Sequence, residues 1–439
     1  MWSIYKSSLL VLLVFTVKIL NAQDYWITRD TLVNNTWKLP SGSILHFGSK
    51  GKISGRGSIQ GGIIDAAPQQ WIFDTSITIN PEGTYSRFFS ARWFGAGKFN
   101  DNWYSLQKSI QTVLQNSGSL RDLFIPKGDY AYSRPLLIAQ QRGKSYMACS
   151  IHLFGEASFW DMGNGTNLLF TGISDYALGI QKGKGVEIDH ITLKGVFMAP
   201  AYTGPSYYQL PLEQFIHPGS PDVSSGYSGL VIDPIAVSGD GGSTGIYVHD
   251  VQASQFSIDF SVSPNAQTFN ADILQFERIK CGDARVGFAT GQAQEKGNMI
   301  RGIYAWGNLH TLYRCGYYGK KQAGQYVIDG GNIAGRCIRL FDIRQDGWYN
   351  TTIHHLFAES IYEVGNLSSG IPMSINNCTF HFALPAQAGN RTVLQVTGSQ
   401  VVFNNCIFRY YGTNTPIKIT GNPVFNQCSF GGSAVEKLR

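Results

Sequence analysis

Two aspartates, a line of cations and a group of aromatic side chains are the residues of this chain whose types and spacing suit chemistry. Asp233 and Asp259 each close an Ile-Asp dipeptide (Ile232-Asp233, Ile258-Asp259) and stand 26 residues apart. If 26 residues return the chain to itself one strand spacing away, about 4.8 Å, the carboxylates project side by side. Like charges so close raise one pKa, the condition for an acid and a base at one site. The same residues serve equally well as loop-edge acceptors bonded to backbone, and Pro234 stands where it would displace the first. Arg285, His310, Arg336 and Arg339 follow, with Tyr313, Tyr362 and Glu363 close to the same line. Arginine and histidine so arranged suit the carboxylates or sulfates of an acidic sugar. One such group also suits abstraction of a proton beside a carboxyl. Tyr202, Tyr207, Tyr208, Phe215, His217 and Tyr227 crowd the Pro-, Gly- and Ser-rich segment 196–228, a long loop whose aromatic faces suit sugar rings. Trp306 and Trp348, in later loops, extend that platform. His190, His249, His354 and His355 lack His-x-x-His or His-Glu-x-x-His spacing and read as turn residues rather than a metal site. Lys296 reads as an exposed turn lysine.

Composition says what kind of element positions these groups. Charged residues are 15% of 439, glycine numbers 50, and aromatics are 13%. Low charge with many aromatics excludes a disordered chain, and the composition is not that of a helical bundle. One apolar run exists, Leu9 to Val17, after Lys6 and before Leu20-Asn21-Ala22. Residues 1–22 therefore read as a secretory signal peptide, too short in its apolar part to anchor in a membrane. Cleavage removes Lys6 and Lys18 and lowers the formal charge from +6 to +4. That mild excess is compatible with an acidic polymer as partner. No Lys/Arg run interleaved with aromatics points to nucleic acid. The expected location is secreted or periplasmic.

An internal repeat organises the rest. Its form is apolar, two turn residues, apolar, any residue, apolar. It starts at Ile188, Val248, Phe276, Ile300, Ile353, Ile375, Phe403 and Phe425, at intervals of 60, 28, 24, 53, 22, 28 and 22. The two long intervals read as double turns, one enlarged by insertion. A period in the twenties marks a solenoid, in which coils too small to bury their own apolar face stack in register. Asn376, Asn404 and Asn426 fall in the bend, where Asn tolerates the left-handed conformation, and are expected to stack as a ladder. Cys378, Cys406, Cys428 and Cys281 fall at apolar positions. Seven cysteines is an odd number, and buried thiols are expected rather than disulfides.

At this point the sequence resembles the pectate-lyase-like superfamily of right-handed parallel β-helices. The segments INNCTF and FNNCIF look like its repeat. Ala91 to Gln115 followed by Leu123 to Ile138 is similar to its entry module, with Leu106, Ile110, Val113 and Leu114 as the apolar stripe of a capping helix. The turn after Phe-Gly-Ala departs from the usual acidic form, reading Gly97-Lys98-Phe99-Asn100-Asp101. The resemblance implies an all-β parallel β-helix over 91–432, with a capping helix near 103–116. An N-terminal strand layer over 23–90 and a tail at 433–439 complete the chain.

The resemblance further implies that the first-strand sheet of the coils, with the loops before it, forms a substrate groove. The candidate strands there include Leu230 to Asp233, Ser257 to Ser261, Val286 to Thr290, Thr311 to Arg314, Ile338 to Asp342 and Ser360 to Val364. A secreted enzyme cleaving an acidic polysaccharide by β-elimination is then expected, with His310 and Arg339 at the chemistry and Ca²⁺ as the candidate ion. Arg285, Tyr313, Arg336, Tyr207, Tyr208, Tyr227, Trp306, Trp348 and Tyr362 are the expected substrate contacts. A glycoside hydrolase using Asp233 and Asp259, or a glycan-binding module without chemistry, are the alternatives. Pectate lyase and polygalacturonase signatures are both missing from the chain.

Overall fold

The computed structural model describes residues 21–156, 164–173, 175–198, 227–235, 242–264, 271–291, 296–315, 325–345, 351–383, 392–411 and 418–431. Tyr207, Tyr208 and Trp348 lie outside them, as do residues 1–20, most of the 196–228 segment and the tail.

The repeat folds as its periodicity requires. Each apolar-turn-turn-apolar unit is two short strands joined by a sharp bend, and a third strand completes the coil. Equivalent strands of successive coils pair in parallel, giving three sheets along a parallel β-helix. The first sheet begins with Leu136–Ile138, Tyr176–Ile180, Ser228–Ile232 and Ile258–Val262. It continues through the C-terminal parts of Lys280–Thr290, Asn298–Cys315, Arg336–Gln345 and Thr351–Ser369, long strands that turn a corner between sheets. The second sheet holds Asp122–Phe124, His152–Phe154, Glu187–Asp189, Tyr247–His249 and Gln275–Glu277. The third starts with Gly128–Tyr132, Thr166–Phe170, Ile191–Lys194 and Gln252–Ser254.

The bend between second and third sheets is left-handed at one residue, with φ between 48° and 54° at His190, Asp250, Arg278, His355, Asn377, Asn405 and Gln427. Asn tolerates this conformation because its short side chain bonds local backbone. The residue before each bend stacks: Asn404 Nδ2 donates to Asn376 Oδ1 at 2.7 Å, and Asn426 Nδ2 to Asn404 Oδ1 at 3.0 Å. All seven cysteines are free thiols, and only Cys428 is more than marginally exposed.

Residues 24–84 are a second, smaller solenoid. Asp24–Ile27, Ile44–Phe47, Ile63–Asp65 and Gly83–Thr84 pair in parallel on one face. Thr36–Lys38, Ser58–Gln60 and Thr78–Asn80 do so on another. The helix α1, Trp103–Gln115, buries Leu106, Ile110, Val113 and Leu114. It packs on Thr78–Asn80 of the small solenoid and on Asp122–Phe124 and Leu136–Ile138 of the large one. It thereby covers the entry of the β-helix, whose first coil would otherwise expose an apolar end and open strand edges. Among the described residues no helix is long and apolar enough to cross a membrane.

Candidate functional site

The outer face of the first sheet collects the charged residues. Thr311, Arg339 and Glu363 stand in register on three successive coils. Three residues further on, Arg314, Asp342 and Asn366 form a second outward row. Regular alternation would separate outward rows by two residues. The strands bend instead: Leu312 and Tyr313, and likewise Leu340 and Phe341, are consecutive residues that both enter the core. On the next coil the bend falls at Gly365, whose φ is 120° and where a Cβ would lie 1.9 Å from the Phe341 carbonyl oxygen. Only glycine fits there.

Two ion-pair groups result. Arg339 Nε donates to Glu363 Oε2 at 2.8 Å, and Nη2 reaches the same oxygen at 2.8 Å. Arg314 Nε lies 3.1 Å from Asp342 Oδ2, and Arg344 Nε lies 3.5 Å from the other oxygen. Arg314 and Asp342 are nearly buried, whereas the Arg344 side chain is 59% exposed. His310 is buried beside this strip, its Nδ1 2.8 Å from the hydroxyl of Thr311. Arg285 takes the position beside His310 on the preceding coil, because Ala284 pairs with Leu309 and Val286 with Thr311. Higher up the same face the outward residues become apolar, with Ile258, Val286 and Ala289 forming a small buried cluster of their own.

Several expected contacts are corrected by burial. Tyr313 is a core residue, its ring 6.0 Å from Phe288 in an interior aromatic stack. Tyr362 is fully buried in the same core. Tyr227 is buried between Phe170 and Phe256, with its hydroxyl accepting from Val196 N at 2.6 Å. None of these three rings presents a face to a ligand. Trp306 is half-buried on the turn into the first sheet, 5.5 Å from Lys280 Nζ. Arg336 is half-buried at the start of its strand, opposite Asn308.

Asp233 and Asp259 do not meet. Ile232 pairs with Val262, so Asp233 stands one residue beyond the end of its strand, whereas Asp259 lies opposite Gly229. The offset is four residues, roughly 13 Å along the strand. Asp233 is fully buried in a left-handed turn, its carboxylate accepting from Lys182 N, Ser243 N and Ser243 Oγ at 2.7–3.0 Å. Burial raises its pKa against those bonds. Asp259 points into the solenoid interior: the equivalent residue of the next coil is Gly287, where a Cβ would touch Cys281 Sγ. Its Oδ2 accepts from Gly282 N at 2.9 Å. Complete burial raises its pKa well above the ordinary carboxylate value, against the bond from Gly282 N. Both aspartates are structural, which removes them as an acid/base pair.

The histidines sit at the bend as their spacing predicts, with carboxylates that the sequence reading did not connect to them. His249 ends the strand Tyr247–His249, and His190 is the left-handed residue one coil earlier. Burial works against protonation of His152, but the hydrogen bond to Asp189 together with the charges of Asp189, Glu187 and Asp122 outweighs it and raises the pKa. Burial likewise opposes ionisation of Asp189, and bonds from His152 and His190 lower it. The Arg278 guanidinium holds Asp250 down at about 2. His152 carries no sequence signal, because its coil lacks the apolar-turn-turn-apolar signature. Arg314, Asp342 and Arg344 carry no sequence signal, because strict alternation does not run through a bent strand.

Neither a family model nor a curated protein sequence matches the chain. Among solved structures it is similar to full-length tailspike protein 2 of the Escherichia coli O157:H7 bacteriophage CAB120, at 13% identity and a TM-score of 0.39 over 77% of this chain. It spans 41% of that tailspike's length. It is also similar to the Agl-KA catalytic domain, at 13% identity and a TM-score of 0.31, covering 77% of this chain and 68% of the other. An alginate lyase from Paenibacillus sp. str. FPU-7 aligns at 8% identity and a TM-score of 0.36, covering 72% and 97%. These likenesses are of chain trace only.

Proposed function

We propose that this is a secreted carbohydrate-active enzyme that binds an acidic polysaccharide along the outer face of the first sheet and cleaves it by β-elimination. The observation that supports this is the row of arginines there. Arg314, Arg339 and Arg344 face Asp342 and Glu363, so cations outnumber carboxylates on one strip. Planar guanidinium groups suit a uronate carboxylate, and charge placed there lowers the cost of the enolate that forms when the neighbouring carbon loses its proton. In β-elimination the base takes that proton, its electron pair becomes the new carbon–carbon double bond, and the glycosidic oxygen leaves with its bonding pair and is protonated. His310 is the candidate base nearest the strip.

The hydrolase reading needs two available carboxylates. Asp233 and Asp259 are structural, and Asp342 and Glu363 are each gripped by arginine. That favours elimination over hydrolysis.

The test is digestion of the chain from Gln23 onward with acidic and neutral polysaccharides, with and without Ca²⁺. Ultraviolet absorbance of unsaturated uronates and reducing ends are followed together. Both rising on an acidic polymer is the expected result. Reducing ends alone would replace elimination by hydrolysis. Binding without either signal would leave a glycan-binding solenoid.

A further inference from the structure

On the second sheet, a different face from the arginine strip, four successive coils bring histidines and carboxylates together. Asp122, His152 and Glu187 stand in register, and Asp189 and His249 form the row two residues on. His152 Nε2 lies 2.6 Å from Asp189 Oδ2. His249 Nε2 lies 3.7 Å from that same oxygen and 3.4 Å from Glu187 Oε1. The ligand atoms of His152, Glu187 and Asp189 all fall within 4.8 Å of one another.

The far ring nitrogens decide what this cluster is for. His152 Nδ1 is 3.2 Å from Asp122 Oδ1, and His249 Nδ1 is 2.9 Å from Asp250 Oδ2. Asp250 is itself held by Arg278 Nε and Nη2 at 2.8 and 2.6 Å. Each imidazole therefore has a carboxylate at its Nδ1 and turns its Nε2 toward the carboxylate oxygens of Glu187 and Asp189. Carboxylates gathered this closely are stabilised by positive charge among them, which ring protons or a metal ion supply. Carboxylate-bound imidazoles of this kind are the usual outer support of metal-ligating histidine.

We propose that His152, Glu187, Asp189 and His249 form a site for a divalent transition metal of the zinc class. Two imidazoles with two carboxylates suit a borderline ion better than Ca²⁺, which takes six to eight oxygens. At ligand bonds of about 2.0–2.1 Å, tetrahedral ligand atoms stand about 3.4 Å apart, the separation His249 already keeps from Glu187. The metal displaces the proton shared by His152 and Asp189 and lets that contact open. It ties together coils that flank the 60-residue interval between the repeats at Ile188 and Val248, the longest gap in the solenoid, and acts as a brace rather than in the polysaccharide chemistry.

The full chain, stripped with a chelator, is titrated with Zn²⁺ and separately with Ca²⁺ in competition with a chromophoric chelator. One equivalent of zinc is expected, far tighter than calcium, with a rise in Tm. His152→Gln and His249→Gln should each abolish tight binding. Asp250→Asn should weaken it about 10–100-fold, and His355→Gln, at a distant bend, should leave it unchanged. The X-ray absorption spectrum of the zinc-loaded wild type should show two imidazoles, which decides the matter even if a variant fails to fold. No micromolar zinc binding, binding unchanged in both histidine variants, or a spectrum without imidazole would overturn the proposal.

Discussion

Arg339 stands directly opposite Glu363 on the next coil, and its Nε and Nη2 both reach one carboxylate oxygen, Oε2, at 2.8 Å. The other oxygen of Glu363 is left out of that grip. The pair holds the guanidinium extended across the outer face of the sheet, where a free arginine would sample many rotamers. Such preorganisation matters because ordering a long side chain on binding costs affinity.

Arg339→Ala should lower kcat/KM on the acidic polysaccharide about 10- to 100-fold, the range of a lost charge-assisted hydrogen bond. Arg339→Lys should recover only part of this, because an ammonium cannot reproduce the planar fork. Initial rates by ultraviolet absorbance check it. Wild-type rates in Arg339→Ala would remove the residue from the site.

Arg314 and Asp342 separate stability from binding. Both are nearly buried, so Asp342→Ala removes the buried carboxylate paired with Arg314 and should cost about 3–5 kcal/mol, read from the urea midpoint. Arg344 is mostly exposed. Arg344→Ala should leave the midpoint within about 0.5 kcal/mol while weakening polymer binding most at low ionic strength. Equal effects of the two substitutions on stability would contradict this division.

Asp259 predicts a pH dependence with a definite sign. Its folded pKa is raised by burial. Below the ordinary carboxylate pKa, both folded and unfolded chains carry the proton and the group is neutral to folding. As pH rises past that value only the unfolded chain ionises, so stability falls until the folded pKa is reached. Asp259→Asn, which can still accept from Gly282 N, should raise Tm at pH 7 and change it little near pH 3.5. An equal change at both pH values would rule out the raised pKa of Asp259.

Gly365→Ala should be strongly destabilising, by more than about 2 kcal/mol, because a Cβ there meets the Phe341 carbonyl at 1.9 Å in a backbone with φ of 120°. Loss of the bend would also shift Asn366 and Glu363 out of their rows, so polymer binding should fall with stability. A thermal melt with no change would show that the strand can straighten.

Where stacking is periodic, the sequence alone was sufficient to read the structure. The intervals between Ile353, Ile375, Phe403 and Phe425 set the coils. The same motif placed Asn376, Asn404 and Asn426 in a hydrogen-bonded ladder and kept Cys378 and Cys406 inside as free thiols. Each coil meets only its neighbours, so residues equivalent in sequence become equivalent in space. What the tertiary structure alone decided is the register between coils and the facing of each side chain. Asp233 and Asp259 share a dipeptide and a one-coil spacing, yet unequal connections leave them four residues out of step, one in a turn and one in the interior. A bend at Tyr313 and Phe341 turned an expected contact into core and brought Arg314 and Asp342 outward. His152 met Asp189 across 37 residues of chain because a strand without the repeat's signature pairs with one that has it. Nearest-neighbour pairing writes a repeat into the sequence, whereas bends and insertion lengths, which set phase, are fixed only when the coils pack.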